Sequence, residues 1–133
     1  LDTKSPMARN APPISTAPMY PPTTCPGSGS PRTATNTGIT RETFGRGVDV
    51  VVATPGRLMD HMRRKNVDFK DVQILVLDEA DRMLDMGFLP DIKHIIGRMP
   101  RQRQTMLFSA TMPQDIRELA GTILKNPVTV QIG

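Results

Sequence analysis

An abrupt change in composition near residue 47 limits where this chain can build a folded core. Residues 1–47 hold eight of the 13 prolines and five of the 10 glycines, and Ser and Thr fill most of the other positions. Because proline fixes φ and lacks a backbone donor, such a segment disfavours helices and strand ladders. We predict that residues 1–47 are disordered and that residues 48–133 form the folded part. A chain of 133 residues suffices for one compact domain, not two.

The basic character of the chain belongs mainly to its first part. The formal net charge is +4 and the pI is about 9.7, but residues 1–47 contribute +3 and residues 48–133 only +1. The high pI therefore reflects an acid-poor segment and is weak evidence for a nucleic-acid surface. With no Trp and only 4% aromatic residues, stacking of bases on an aromatic platform is not expected either.

Membrane proteins and disulfide-stabilised secreted domains are poor matches to this sequence. No run approaches the roughly 18 consecutive apolar residues of a membrane helix. Cys25 is the single cysteine, which excludes an internal disulfide and a cysteine-built metal cluster. We therefore expect a soluble, cytoplasmic protein. Since the sequence begins at Leu1 and not at Met, we also expect it to be a piece of a longer protein.

Apolar runs and helical stretches alternate along residues 48–133. Val48–Ala53 and Gln73–Leu77 are nearly continuous apolar runs, typical of strands covered on both faces of a parallel sheet. Thr105–Phe108 and Val128–Ile132 are shorter strand candidates. Helices are predicted between them at Arg57–Arg64, Ala80–Leu84, Pro90–Arg98 and Pro113–Leu124. This order predicts an α/β layer that binds ligands at the carboxyl ends of its strands.

The second apolar run ends in two adjacent carboxylates, Asp78 and Glu79. A nucleoside triphosphatase uses an Asp at such a strand tip to hold Mg²⁺ against the β and γ phosphates, and an adjacent Glu can orient and polarise the attacking water. The alternative is structural, because carboxylates also stabilise the N-terminus of a helix, here the one predicted to begin at Ala80. Both roles are compatible with the sequence.

Polar residues also follow the first and third runs: Thr54, Pro55, Gly56 and Arg57, and then Ser109, Ala110 and Thr111. A helix start at Pro55 leaves backbone amides open to a phosphate, and Arg57 adds a cation, as a nucleic-acid backbone requires. A plain turn into a helix explains the same residues equally well. The hydroxyls of Ser109 and Thr111 can bond to Asp81 or to phosphates, or cap the next helix.

Residues outside these stretches are given ordinary roles. His61 and His94 lie apart and lack neighbouring ligands, so both are predicted to lie on helix surfaces. Two basic groups, Arg63–Lys65 and Arg98–Arg103, can extend a path for RNA or form solvated surface. Packing roles are predicted for Met83, Leu84, Met86 and Phe88.

Together the polar stretches resemble the DEAD-box family of ATP-dependent RNA helicases, whose name is spelled by residues 78–81. The run LDEADRMLDMGF at residues 77–88 is very close to the family's form, and TPGR at 54–57 and SAT at 109–111 match two further elements. The resemblance covers residues 48–133 and is greatest to bacterial members. It implies the distal half of a first RecA-like domain, an α/β fold with a parallel sheet.

The resemblance also implies a cofactor, a partner and residue roles. ATP and Mg²⁺ would bind at the acidic motif, where Asp78 would contact Mg²⁺ through water and Glu79 would position the hydrolytic water. RNA would be the partner, bound through its backbone with little sequence preference by Thr54, Pro55, Gly56 and Arg57. Coupling of the acidic motif to RNA-dependent closure would fall to Asp81, Ser109, Ala110 and Thr111.

The sequence departs from the family pattern in ways that keep other interpretations open. It has no glycine-rich loop ending in Lys and Thr, no adenine-reading glutamine segment and no second RecA-like domain. Thr40–Glu42 is similar to the family's PTRELA element, but the flanking residues differ and the match is assigned to chance. Loss of the phosphate-loop strand would leave Val128–Ile132 without a neighbour. The chain is therefore a helicase fragment, a non-catalytic RNA-binding fragment, or a frameshifted product whose residues 1–47 are mistranslated.

Overall fold

Strands and helices alternate along the residues that this computed structural model describes, 31–36 and 38–133. In chain order they are β1 (Thr33–Thr35), α1 (Arg41–Gly45), β2 (Val50–Val52), α2 (Pro55–Arg63), β3 (Ile74–Leu77), α3 (Ala80–Asp85), α4 (Leu89–Gly97), β4 (Gln104–Leu107) and α5 (Gln114–Ile123). Helices connect strands that pair in parallel. The predicted α/β class is confirmed.

The four helices and the first three strands predicted beyond residue 47 are present, and their ends differ from the predicted ones by no more than two residues. Pro55 and Pro90 lie in the first turns of α2 and α4, where the missing N–H has no intrahelical acceptor to lose. Pro113 instead occupies the N-cap position of α5. Local sequence signals therefore fix the elements of this part of the chain.

The strands form two separate parallel pairs within the described ranges. In the first, Thr33 of β1 lies opposite Val50 of β2; in the second, Leu77 of β3 lies opposite Leu107 of β4. The strands of the predicted α/β layer therefore do not join in one continuous ladder among the described residues, because periodicity identifies strands but not their neighbours. Since β3 and β4 are parallel, their carboxyl ends lie at one edge, and Phe108 N donates to Leu77 O at 2.8 Å.

Residues 31–47 contain regular structure, contrary to the prediction of disorder. Thr40 caps α1 reciprocally, because Thr43 N donates to Thr40 Oγ1 at 3.2 Å and Thr40 N donates to Thr43 Oγ1 at 3.3 Å. β1 is anchored beside β2 by Arg32 N, which donates to the Asp49 carboxylate at 2.8 Å. Seven of the eight prolines precede residue 31. The proline content averaged over residues 1–47 therefore did not reveal that residues 31–47 can form regular structure. The rest of the prediction, for residues 1–30, lies outside the described residues.

The last predicted strand, Val128–Ile132, is not formed. Val128, Val130 and Ile132 are 90%, 80% and 95% exposed, and this segment has no ladder partner among the described residues. Alternating apolar residues favour a strand, but a strand is stable only within a ladder. The predicted cause, loss of the phosphate-loop strand, stays a prediction.

The apolar runs predicted strands covered on both faces of the sheet, and this prediction is wrong for the described residues. In β3, Leu77 is buried and Leu75 packs against the core, whereas Ile74 and Val76 are exposed. All three residues of β2 are exposed as well. A run that is apolar at every position can have two covered faces only when elements pack on both, and within the described residues one face of β3 is open to solvent.

The core of the described region lies where β3, α4 and α5 meet. It centres on Leu77, Ile92, Leu119 and Ile123, and three of the four residues assigned packing roles, Met83, Leu84 and Phe88, contact it. Met86 is 64% exposed, so its predicted packing role is wrong. It occupies the C-cap position of α3, past the face of the helix that contacts the core.

His61 is buried, which overturns its predicted place on a helix surface. It is 4% exposed, and its ring lies edge to face with Phe44 of α1 at 5.7 Å between centroids. Its Nδ1 lies 3.4 Å from Asn66 Nδ2, whereas Nε2 is buried without a hydrogen-bond partner among the described residues. α1, absent from the sequence prediction, covers this face of α2. His94 is exposed as predicted.

Replacing His61 by an apolar side chain of similar size is expected to stabilise the chain. A buried polar atom without a partner costs about 1–3 kcal/mol, which His61→Leu recovers in part, so we expect a gain of about 1 kcal/mol in the free energy of unfolding. Urea denaturation of the full chain measures it. His94→Leu, at an exposed position of α4, is the matched control and should change stability by less than about 0.5 kcal/mol. A loss of stability in His61→Leu would contradict the burial of an unpaired nitrogen.

Candidate active site

Asp78 and Glu79 lie at the carboxyl end of β3. Leu77 is buried and the two carboxylates are exposed, so the chain leaves the core at this peptide. The Asp78 carboxylate accepts a hydrogen bond from Glu79 N at 2.9 Å. That bond fixes the first carboxylate beside the strand end and leaves its other oxygen for a ligand.

Glu79 has a left-handed backbone, with φ 51° and ψ 47°. Outside Gly, Asn and Asp this conformation is uncommon, and it costs about 1–2 kcal/mol. Glu79 occupies the N-cap position of α3, but its side chain makes no capping hydrogen bond; instead Oε2 lies 3.2 Å from Arg82 Nη1. This side chain therefore forms no capping hydrogen bond, although its charge still lies at the helix N-terminus. Strain of this kind concentrates at functional sites.

Asp81 joins the start of α3 to the residues that follow β4. Its Oδ2 accepts from Thr111 N at 2.9 Å and from Thr111 Oγ1 at 2.8 Å. Asp81 N donates to Ser109 Oγ at 3.1 Å, and Ser109 Oγ donates to Thr111 O at 2.7 Å. Of the three roles open to the hydroxyls, bonding to Asp81 is the one observed; α5 has no side-chain cap. Ala110 connects the two and is exposed.

These contacts set the protonation of Asp81. The Thr111 hydroxyl, and then the amides of Thr111 and Arg82, hold the pKa of the Asp81 carboxyl below its usual range, while partial desolvation opposes them. The Asp81 carboxyl therefore stays charged at a lower pH than it would without these contacts. The connection between α3 and the end of β4 therefore consists of hydrogen bonds to a charged carboxylate.

Acid is expected to remove the stability that this connection supplies. Because the native pKa is depressed, the contribution is fully present above the unfolded-state pKa of about 3.9 and is lost as the pH falls through the native value. Urea midpoints of the wild type and of Asp81→Asn should therefore differ at neutral pH and converge in acid. Asp85→Asn, an exposed change in the same helix, is the control. If the difference between wild type and Asp81→Asn does not change with pH, the charge of Asp81 does not strengthen these hydrogen bonds, and the account is contradicted.

The second group of predicted residues, Thr54–Arg57, forms the start of α2. The first backbone bond of the helix runs from Leu58 N to Thr54 O at 3.1 Å, so the amides of Gly56 and Arg57 precede the helical ladder. Gly56 is exposed, and a Cβ built there would meet Phe88 Cε1 at 3.9 Å, an ordinary contact. The predicted helix start with open amides is present.

Two side chains of this group are held by residues of the preceding segment. Thr54 N and Oγ1 both lie 3.3 Å from Asn36 Oδ1. Arg57 Nη2 donates to Ile39 O at 3.3 Å, and Nη1 lies 3.6 Å from Asp60 Oδ2. Sequence reasoning missed Asn36 and Ile39, because no local pattern reveals partners 18 positions away.

The carboxylates fit a magnesium–nucleotide complex better than a protein-enclosed metal. Within the described residues no three metal-ligating side chains cluster. Mg²⁺ usually keeps several waters and binds through one or two carboxylates together with substrate phosphates. The exposed carboxylate of Asp78 meets that requirement, with Glu79 beside it. Asp81 is occupied by Thr111 and is not a candidate ligand.

Comparison with known proteins identifies the family. The family model for DEAD/DEAH box helicases matches residues 26–119, more than half of the chain, and the chain therefore belongs to this family. The match begins ahead of residue 48, where the sequence resemblance was placed. It thus includes Asn36, β1 and α1.

Relatives come from distant organisms. The chain is 56% identical over 88 residues to DEAD-box ATP-dependent RNA helicase 40 of Arabidopsis thaliana and 52% identical over 86 residues to DEAD-box ATP-dependent RNA helicase CshA of Streptococcus pneumoniae. These matches cover 66% and 65% of this chain but 8% and 16% of the relatives. Since plant and bacterial proteins are about equally similar, the bacterial type stays a prediction.

Solved structures agree with the fold. A DEAD box protein from Methanococcus jannaschii superposes with a TM-score of 0.66 at 35% identity, covering 75% of this chain and 29% of that one. A hypothetical ATP-dependent RNA helicase from Sulfolobus tokodaii gives 0.64 at 37% identity, covering 72% and 30%. The described residues thus correspond to part of a DEAD-box RecA-like domain. None of the described helices is long and apolar enough to span a membrane.

Proposed function

We propose that this chain is a segment of an ATP-dependent RNA helicase, one that couples ATP binding and hydrolysis to the remodelling of short RNA duplexes. The observation that carries the proposal is the bonding of Asp81 to Thr111 and Ser109. It ties the acidic residues after β3 to the polar residues after β4, so a movement of either strand end reaches the other. A cytoplasmic location and a bacterial type remain predictions.

The carboxylates divide the chemistry between them. Asp78, already oriented by the Glu79 amide, would hold Mg²⁺, and the ion would supply charge neutralisation at the phosphates. Glu79 orients and polarises the attacking water. The left-handed backbone directs Glu79 away from the helix amides that it would otherwise cap, and the Arg82 guanidinium holds it at the strand end.

RNA is proposed to bind at the start of α2. The open amides of Gly56 and Arg57 lie at the positive end of a nine-residue helix, which favours a backbone phosphate. Amides recognise the phosphate and not the base, so little sequence preference is expected. Arg57 supports this site by holding Ile39 and Asp60 and adds positive charge to it.

A non-catalytic RNA-binding fragment is the second candidate. It is favoured by residues 1–133, which contain no glycine-rich loop ending in Lys and Thr. A frameshifted product is a variant of this candidate. All of these share the RNA site at α2, so its test comes first.

A negative charge at Gly56 is expected to weaken RNA binding without weakening the fold. Asp in the first turn of a helix is favourable, yet it would repel a phosphate at the same amides, so we expect roughly tenfold weaker binding. Fluorescence anisotropy of a labelled oligouridine with the full chain measures the affinity. Gly56→Ala is the matched control, because the Cβ has room, and it should stay within about twofold. Equal affinity for Gly56→Asp and Gly56→Ala would contradict a phosphate site at α2.

A further inference from the structure

A surface cavity of about 520 Å³ lies between the C-terminal end of α2 and α4. We call it the α2–α4 pocket. Its apolar side includes Met62 and Phe69, and its rim carries Arg63, Lys65, Arg98 and His94. The pocket is at the opposite end of α2 from the proposed phosphate site at Gly56. The helicase proposal gives it no role.

The charge of the rim is not neutralised by the protein. Among the described residues, Arg63, Lys65 and Arg98 have no carboxylate within 4.0 Å. The neighbouring Arg64, by contrast, has a carboxylate partner, because its Nε lies 3.1 Å from Asp60 Oδ1. The one carboxylate that lines the pocket, Asp68, lies 3.5 Å from Lys70. Three basic side chains therefore lie around a cavity that Met62 and Phe69 line on one side.

Lys65 occupies a position that suits glycine. It follows the C-cap of α2 with φ 55°, and its amide donates to Met62 O at 3.0 Å while Asn66 N donates to His61 O at 3.0 Å. This is a Schellman motif, whose left-handed residue is usually glycine because a Cβ is strained there. A lysine at this strained position places its ammonium at the rim of the pocket. Because glycine suits the left-handed backbone, Lys65→Gly should not weaken the fold.

We infer that the α2–α4 pocket is a docking site for an acidic segment of a partner protein. An apolar side chain of that segment would enter the cavity beside Met62, whose flexible thioether adapts to different shapes. Its Asp or Glu side chains would pair with Lys65, Arg63 and Arg98 on the rim. RNA satisfies only half of this surface, because it offers phosphates but no aliphatic side chain. Phe69 is 8% exposed, too buried to stack a base.

Panning short random displayed peptides against the immobilised full chain tests the inference. Selected peptides are expected to combine Asp or Glu with Leu, Ile or Phe. By anisotropy, the double variant Lys65→Gly/Arg98→Gln should bind them at least about tenfold more weakly, while Lys65→Gly keeps a urea midpoint at or above that of the parent. Arg64→Gln, whose parent side chain pairs with Asp60 and does not line the pocket, should change affinity by less than about twofold.

The inference is overturned if no peptides are selected, if the selected peptides lack acidic residues, or if the double variant binds them like the parent. It is also overturned if the double variant loses as much affinity for oligouridine as for peptide, since the pocket would then belong to the RNA path. Gly56→Asp separates the two proposals, because it should weaken oligouridine binding and leave peptide binding unchanged.

Discussion

Glu79→Gln is expected to slow ATP hydrolysis by about 10²–10⁴-fold while nucleotide binding survives, since this is the usual cost of losing a group that activates water. The test requires a full-length DEAD-box relative whose corresponding segment is replaced by residues 48–133, called here the graft. Gln keeps the size of the side chain and its hydrogen bonds but removes the negative charge. Single-turnover hydrolysis and nucleotide affinity, measured on the same protein, separate the two effects.

Asp78→Asn is the matched control for that change. It weakens the water-mediated contact to Mg²⁺ and is expected to impair nucleotide binding as well as hydrolysis. RNA dissociation gives a third readout, because the Glu79→Gln graft should bind ATP and RNA but release the RNA slowly. Normal hydrolysis in Glu79→Gln would leave Glu79 only its ion pair with Arg82 and would contradict a role in activating water.

The 133-residue chain by itself is expected to show no ATP hydrolysis and no RNA unwinding. Asp78 can hold Mg²⁺, but without a glycine-rich loop to cradle the phosphates nothing in the sequence fixes the γ phosphate for in-line attack. Phosphate release should equal that of the buffer, with or without RNA. The 133-residue chain would thus lack essentially all of the ATP hydrolysis expected of the graft.

Two controls make the result decisive. The Gly56→Asp and Gly56→Ala pair tests RNA binding in the same preparation, so a missing activity is not confused with a missing fold. RNA-stimulated phosphate release by the purified chain that disappears in Glu79→Gln would contradict the need for the cradle.

The elements beyond residue 47 were predictable because their signals are local. Apolar runs marked β2, β3 and β4, and prolines at Pro55 and Pro90 marked helix starts. The acidic stretch at 78–81 was also a local signal. What the sequence could not reveal is the left-handed backbone of Glu79, because Glu has no preference for that conformation and only the junction of β3 with α3 imposes it.

Pairing and burial depend on distant residues, and there the sequence predictions were wrong. β1 and Asn36 were missed because the proline content was averaged over residues 1–47. Of the eight prolines in that range, only Pro31 lies beyond residue 30. His61 became a core residue through Phe44 of the unpredicted α1. Val128–Ile132 has the periodicity of a strand, yet it lacks a ladder partner among the described residues. Each of these outcomes is decided by a neighbour that periodicity does not specify.

The most direct test of the helicase assignment is RNA-stimulated phosphate release by the graft, with its Glu79→Gln variant measured beside it. If residues 48–133 supply competent carboxylates and a working connection from Asp81 to Thr111, the graft should hydrolyse ATP when RNA is added, within about tenfold of its full-length parent, and the variant should not. A graft that folds and binds ATP but shows no RNA-stimulated release would contradict the account.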